Sequence, residues 1–326
     1  MKFRKLGKTG LKVSEIGFGA WAIGESWWGK QDDADSLKAL HRAAELGANF
    51  IDTAAVYGDG KSEKLIARFR KEWKGELIIA TKTPISGGTW PPSPYDSFDL
   101  SFPEAFLRAN VEQRLRNLGV DCLDLLQLHT WTRAWNRNPK PFEILRKLQK
   151  EGKIRFIGVS TPEHDQNSVV DLIRDGWVDT VQVIYNLFDQ EPAAEILPAA
   201  QEHGVGIIVR VAFDEGALTG KFTRDTVFPA GDFRADYFRG DRLGRTVDRV
   251  ERIKKDVEGT GLTMAQVALK FALAHPGVST LISGIRNESQ ATANLGASDL
   301  PDLSPTLMEK LRAHNWRRSI WHGDHW

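Results

Sequence analysis

Four residues of different chemical type stand at comparable places in the sequence, at or just behind the end of a short apolar run. Asp52, Lys82 and His129 end three such runs, and Tyr57 follows Asp52 by five residues. A free tyrosine has a pKa near 10, which is too high for an efficient proton donor at neutral pH. An adjacent lysine ammonium lowers that pKa, a carboxylate keeps the lysine charged, and a neutral histidine can orient a carbonyl oxygen. Together the four side chains suit proton donation from a phenol to a carbonyl oxygen.

The apolar runs that end at these residues are part of a longer pattern. Along the chain, short apolar runs alternate with segments that have the periodicity of amphipathic helices. Near-continuous apolar runs are typical of buried parallel strands. We predict eight strands: Ile16–Ala20, Asn49–Asp52, Leu77–Lys82, Leu123–His129, Ile154–Ser160, Thr180–Tyr185, Gly206–Val211 and Val278–Ser283. Eight strand–helix units favour a closed (β/α)8 TIM barrel over an open doubly wound sheet. The sequence therefore predicts an α/β protein with one barrel domain over residues 1–326, and its active site at the carboxyl ends of the strands.

Segments outside the eight units predict additions to this barrel. Residues 3–13 alternate around a Gly-Lys-Thr-Gly turn and indicate an N-terminal β-hairpin. Residues 84–100 and 130–141 are expected as long rim loops, and residues 214–260 as the largest insertion. Three local patterns predict helix starts, namely capping boxes at Ser101–Glu104 and Thr263–Gln266 and an N-cap at Thr161 before Pro162.

The composition excludes several classes of protein. The chain has 44 Lys and Arg against 43 Asp and Glu, a net charge of +1, which argues against a nucleic-acid binder. No apolar run approaches the roughly 18 residues that a membrane span requires. The single cysteine, Cys122, excludes an internal disulfide and a multi-cysteine metal site, and it favours a reducing, cytoplasmic location. The His- and Trp-rich tail 321–326 lacks a fixed scaffold of ligands, so we expect no metal.

Several longer motifs resemble those of the aldo-keto reductase superfamily, in the same order. They are GFGAW (17–21), FIDTAAVYGDGKSE (50–63), ATK (80–82), DLLQLH (124–129), GKIRFIGVS (152–160), VQVIYNLF (181–188), GALTGKF (216–222) and SGIRNESQATAN (283–294). The resemblance extends over nearly the whole chain. It implies reversible NAD(P)H-dependent reduction of an aldehyde or ketone to an alcohol, in which Tyr57 supplies the proton and Asp52, Lys82 and His129 complete a catalytic tetrad.

The same resemblance implies a set of cofactor-binding residues. They are Trp21, Asp52, Ser160, Thr161, Gln182, Gly216, Leu218, Gly220, Lys221, Gly284, Arg286, Gln290 and Asn294. Within this set, Ser160 and Gln182 would hold the nicotinamide carboxamide, residues 216–221 would lie over the pyrophosphate and residues 284–294 would bind the adenosine end. Thr161 stands where relatives often have asparagine. An arginine near the ribose 2′ position favours a 2′-phosphate, so Arg286 favours NADP, with NAD possible.

Tryptophans are concentrated in the predicted rim loops and indicate the nature of the substrate. Of eleven tryptophans, six fall in these loops, and we expect four of them to wall the substrate pocket: Trp21, Trp90, Trp131 and Trp135. An aromatic pocket favours a bulky apolar or aromatic carbonyl compound. The sequence does not indicate an oligomeric state.

Two other functions are compatible with such a barrel. One is a regulatory subunit that senses the nicotinamide cofactor with little turnover, resembling the auxiliary subunits of potassium channels. The other is an isomerase without a nicotinamide cofactor, which the cofactor-region motifs disfavour.

Overall fold

An antiparallel hairpin closes the amino-terminal end of a barrel in the computed structural model, which describes residues 1–25 and 27–316. Strands β1 (Phe3–Lys5) and β2 (Lys12–Ser14) form this hairpin, as predicted, around a 3-10 turn. Apolar side chains of the hairpin pack into the barrel interior against side chains of four barrel strands. Gly7 has φ +54°, and a Cβ there would lie 2.3 Å from the Gly206 backbone nitrogen, so the hairpin can seat only with glycine at this turn.

Eight parallel strands pair edge to edge and close on themselves. They are β3 (Ile16–Gly19), β4 (Phe50–Asp52), β5 (Ile78–Thr83), β6 (Leu123–Leu128), β7 (Ile154–Ser160), β8 (Thr180–Ile184), β9 (Gly206–Arg210) and β10 (Thr280–Gly284). Strand β10 pairs with both β9 and β3, which completes the barrel. The predicted (β/α)8 TIM barrel is confirmed, and each predicted strand agrees with the structure to within two residues at either end.

Helices follow every barrel strand and cover its outer face. They are α1 (Asp33–Glu45), α2 (Lys61–Glu72), α3 (Phe98–Ser101), α4 (Glu104–Leu118), α5 (Lys140–Lys150), α6 (Val170–Arg174), α7 (Ile196–His203), α8 (Arg234–Tyr237), α9 (Arg242–Val257), α10 (Met264–Leu273), α11 (Glu288–Leu295) and α12 (Pro305–Arg312). The insertion between β9 and β10 contains α8 and α9. Helix α9 buries an apolar stripe and packs against α12, which lies in the predicted tail. No helix in the described part of the chain is long and apolar enough to cross a bilayer.

One of the three predicted helix starts is confirmed. Thr263 and Gln266 form a reciprocal capping box at α10. Ser101 instead ends α3 and its hydroxyl donates to the Gly87 carbonyl, so α4 begins at Glu104 without it. Thr161 begins no helix, because its hydroxyl donates to the Gln166 side chain and the chain becomes helical only from Gln166. In both failures the side chain that was predicted to cap a helix is hydrogen-bonded to another group.

Candidate active site

Three members of the predicted tetrad form one hydrogen-bonded group at the carboxyl ends of β4 and β5. The Lys82 ammonium donates to Asp52 Oδ2 at 2.5 Å, to the Thr53 carbonyl at 2.9 Å and to Tyr57 Oη at 3.2 Å. The Lys82 and Asp52 side chains are each 1% exposed. Because the ammonium donates to the phenol oxygen, the phenol O–H stays available to donate to another acceptor.

The Asp52 carboxylate is held by donors from opposite sides of the barrel. Its Oδ1 accepts from Gln182 Nε2 at 2.8 Å and from Gln127 Nε2 at 3.2 Å. Gln182 is one of the predicted cofactor residues, and its amide nitrogen already donates a hydrogen bond to Asp52. Gln127 was not predicted from the sequence. The signal was available, because Gln127 lies in β6 two residues before His129, and alternate residues of a strand face the same side.

Burial and neighbouring charges set the protonation state of the group. Burial lowers the pKa of Lys82, but its interactions with Asp52 and Tyr57 together outweigh that effect, so the pKa of Lys82 lies above its usual value and the lysine is charged. Burial raises the pKa of the Tyr57 phenol, and the Lys82 charge opposes this only in part. Lys82 does lower the pKa of Tyr57, as expected. Burial raises this pKa by more, so the net shift is upward. The raised pKa keeps the Tyr57 phenol protonated at neutral pH, so it carries a proton that it can donate.

His129 lies beside the phenol and is neutral. Its ring meets the Tyr57 ring edge-on at a centroid distance of 6.0 Å. Burial, with the charges of Lys82 and Arg210, holds the pKa of His129 well below its usual range. Its Nδ1 is buried without a hydrogen-bond partner. A neutral imidazole next to a phenol O–H gives two polar groups that can bind one carbonyl oxygen.

Aromatic rings flank the Tyr57 and His129 pair. Trp21 stacks on Tyr57 at a centroid distance of 6.0 Å, and Trp90 meets His129 edge-on at 5.3 Å. Phe233, from the insertion after β9, packs on Trp21 at 4.9 Å and on Trp28 at 5.0 Å. Phe233 was not anticipated from the sequence, because nothing local links it to Trp21. The rings make an apolar wall around the polar group.

Trp131 and Trp135, the other two tryptophans predicted to wall the pocket, lie in the core instead. Trp131 is completely buried, donates to Asn136 Oδ1 at 2.7 Å and packs on Phe142 at 4.9 Å. Trp135 is also buried and donates to the Asp96 carbonyl at 2.8 Å. This expectation is corrected because a ring without exposed surface cannot contact a substrate in this structure. Trp135 instead ties down the loop that carries Trp90.

The carboxyl ends of β7, β8 and β9 lie across the barrel mouth from the tetrad. Ser160 and Thr161 are buried there, and the Thr161 hydroxyl is already bound to Gln166. Arg210, which ends β9, donates through Nη2 to the Thr161 carbonyl at 3.0 Å and to Glu163 at 3.1 Å. The Nε of Arg210 is buried and has no partner.

The segment after β9 has an unusual backbone. Val211, Asp214 and Glu215 have φ values of 57°, 48° and 54°, a region that side chains other than glycine rarely adopt. Among the predicted cofactor residues of this segment, Leu218 is buried, Gly216 and Gly220 have positive φ and Lys221 is exposed. Such conformations persist where surrounding contacts impose them, and they cluster at ligand sites.

The remaining predicted cofactor residues lie between the end of β10 and the end of α11. The Arg286 backbone N–H donates to Gln290 Oε1 at 2.8 Å, and Asn294 donates to the Gly284 carbonyl at 3.3 Å. The Arg286 guanidinium donates to Gln31 Oε1 and to the Lys30 carbonyl, each at 2.8 Å. A Cβ on the exposed Gly284 would meet no atom within 4 Å, so the backbone is open to a ligand there.

These residues fit a dinucleotide cofactor. Ser283 Oγ at the end of β10 and Arg210 Nε are buried polar groups without partners, and a polar ligand at the mouth would satisfy such groups. Within residues 1–25 and 27–316, no group of three or more His, Cys, Asp or Glu could hold a metal ion. The tail residues 321–326, weighed as a metal site on sequence, lie outside the described residues.

Comparisons with known proteins agree with this fold. Residues 15–315 match the family model of the Aldo/keto reductase family. The chain is 28% identical to the NADH-specific methylglyoxal reductase of Escherichia coli (strain K12), over 95% of this chain and 98% of that protein. It is also 28% identical to a probable voltage-gated potassium channel subunit beta of Arabidopsis thaliana, over 95% of each protein. The glycerol dehydrogenase AKR11B4 from Gluconobacter oxydans has a similar structure, with a TM-score of 0.78 and 27% identity over 96% of this chain and 94% of that one.

A (β/α)8 barrel with a lysine-linked tyrosine and a neutral histidine at its carboxyl rim defines a class of carbonyl-binding barrel. The chain belongs to the aldo/keto reductase family. Members of this family are oxidoreductases that reduce carbonyl groups and use nicotinamide cofactors.

Proposed function

We propose that this protein reduces an aldehyde or ketone to an alcohol with NADPH, and that Tyr57 is the proton donor. The observation that carries the proposal is the hydrogen-bonded group of Asp52, Lys82 and Tyr57 beside a neutral His129. It presents a phenol O–H and an imidazole to the same small volume, and no other proton donor is needed.

Each residue of the tetrad has a separate role in the proposed reaction. A carbonyl oxygen accepts a hydrogen bond from Tyr57 and one from the neutral imidazole of His129, which together orient it. When bound, the nicotinamide supplies a hydride to the carbonyl carbon. As negative charge develops on the oxygen, the Tyr57 proton moves to it. The Lys82 ammonium at 3.2 Å stabilises the phenolate that remains, and Asp52 keeps that ammonium in place.

The cofactor would lie across the mouth, with Ser160 and Gln182 at the nicotinamide and Arg286 at the ribose phosphate. Arg286 supports NADP because a guanidinium binds a phosphate through charge-assisted hydrogen bonds. A relative that is named NADH-specific keeps NAD open for this fold. The apolar walls of Trp21 and Trp90 support a bulky apolar or aromatic carbonyl substrate. The lone Cys122 supports a cytoplasmic location.

The test is NADPH consumption with a panel of aromatic and aliphatic aldehydes. Tyr57→Phe removes only the proton donor, so it should lose most turnover, on the order of 100-fold or more, and still bind NADPH. Tyr95→Phe is the matched control, because Tyr95 is 97% exposed and should react as wild type does. A Tyr57→Phe variant that retains its turnover would rule out this assignment.

The similarity to a potassium channel subunit keeps a second function in view. A cofactor-sensing regulatory subunit would bind NADPH tightly and turn over no carbonyl compound in the panel. The wild-type protein in the same experiment therefore separates the two functions.

A further inference from the structure

We propose that Arg210 faces the nicotinamide end of the bound cofactor and makes the site favour the reduced over the oxidised form. The inference rests on the proposed function, since it requires a nicotinamide cofactor at the barrel mouth. It goes beyond that function by assigning the cofactor discrimination to the residue that ends β9.

The position of Arg210 follows from its hydrogen bonds. Its Nη2 donates to the carbonyl of Thr161, which directly follows Ser160, the residue proposed at the nicotinamide carboxamide. Arg210 pairs in register with Ile184, two residues after Gln182 in β8. The guanidinium thus ends the strand next to the proposed carboxamide site. Its buried, unpartnered Nε is a donor that nothing in the described chain satisfies.

The charge of Arg210 reaches the catalytic group. It lowers the pKa of His129, after burial and Lys82, and it opposes the burial that raises the pKa of Tyr57. Glu163 accepts from Nη2 of the guanidinium, whereas Nε has no partner. The positive end of the Arg210–Glu163 pair is therefore the guanidinium, at the end of β9.

A positive charge at this place acts unequally on the two forms of the cofactor. The oxidised nicotinamide ring is a cation and the reduced ring is neutral, so a nearby guanidinium repels only the oxidised ring. Destabilising the oxidised form speeds its release after carbonyl reduction. The residues that orient the carbonyl do not have to change for this to happen.

The experiment measures the dissociation constants of NADPH and NADP⁺, or of NADH and NAD⁺ if that pair binds more tightly, by titration calorimetry. Arg210→Met should lower the ratio of the oxidised to the reduced dissociation constant by about tenfold, which corresponds to about 1.4 kcal/mol. Arg210→Lys should keep most of the wild-type ratio. Arg133→Met, at an exposed rim arginine paired with Asp165, is the control and should leave the ratio unchanged.

Arg210→Lys keeps the positive charge, so it distinguishes a charge effect from a general loss of structure. A ratio unaffected by Arg210→Met overturns the inference and leaves the proposed function intact. If wild type binds no nicotinamide cofactor, the proposed function fails and the inference fails with it.

Discussion

Replacing Asp52 by asparagine tests how much the buried ion pair contributes to stability. The change removes the charge that balances Lys82 while preserving the size of the side chain. Both partners are 1% exposed, so the ammonium would stay in the barrel with only neutral acceptors, namely the Thr53 carbonyl, the Tyr57 hydroxyl and the new amide oxygen. Breaking a buried pair from one side costs about 3 to 5 kcal/mol of the free energy of unfolding. We expect Asp52→Asn to fall in that range.

Two further variants separate charge from packing. Asp52→Asn combined with Lys82→Met removes both charges, so it should recover a large part of the loss, because no unpaired charge remains in the barrel. Asp248→Asn breaks the Arg224–Asp248 pair, whose atoms are 2.6 Å apart but whose side chains are 64% and 52% exposed. This surface control should cost less than about 1 kcal/mol.

The assay is urea unfolding followed by tryptophan fluorescence, with free energies compared only where the m value is unchanged. The reasoning would be refuted if Asp52→Asn cost no more than the surface control. It would also fail if the loss of unfolding free energy in the double variant equalled the sum of the losses in Asp52→Asn and Lys82→Met. Two charges that interact must give losses that are not additive.

Three shorter predictions follow from single contacts. Arg286→Ala should weaken NADPH binding far more than NADH binding, and equal weakening would remove the phosphate role of Arg286. His129 has a lower pKa in the folded chain than in the unfolded chain. As the pH drops below about 6.5, the unfolded chain takes up a proton that the folded chain does not, so the free energy of unfolding should fall. His129→Gln should flatten that part of the curve, and an unchanged slope would contradict a buried neutral imidazole. Gly7→Ala should destabilise by more than about 1 kcal/mol, whereas Gly10→Ala, with a positive φ but open space, should cost less; equal losses would show that strain alone matters.

The fold could be predicted because its signals are local and repeated. Eight apolar runs at strand length, each followed by a helical pattern, leave few ways to bury both faces of a parallel sheet. The capping box of Thr263 and Gln266 succeeded for the same reason, since both partners lie within one turn of the chain. Thr161 failed because its hydroxyl and carbonyl are captured by Gln166 and Arg210.

The tryptophans mark the limit of local reasoning about the site. Trp21 and Trp90 face the candidate catalytic pair, whereas Trp131 and Trp135 turn into the core. All four lie in rim loops, and the path of a loop depends on what it packs against. Sequence position therefore placed them at the rim without deciding which way each ring faces.

The barrel and the rim position of Asp52, Tyr57, Lys82 and His129 could be predicted from the sequence, because a strand end is a local feature and the carboxyl ends of all strands in a parallel barrel share one rim. Which side chains meet across that rim depends on how the barrel closes. Asp52 accepts hydrogen bonds from residues 75 and 130 positions further along the chain, and closure of the barrel brings these donors together. The protonation states were decided there too, because the pKa of each group depends on burial and on charges that sequence spacing does not reveal.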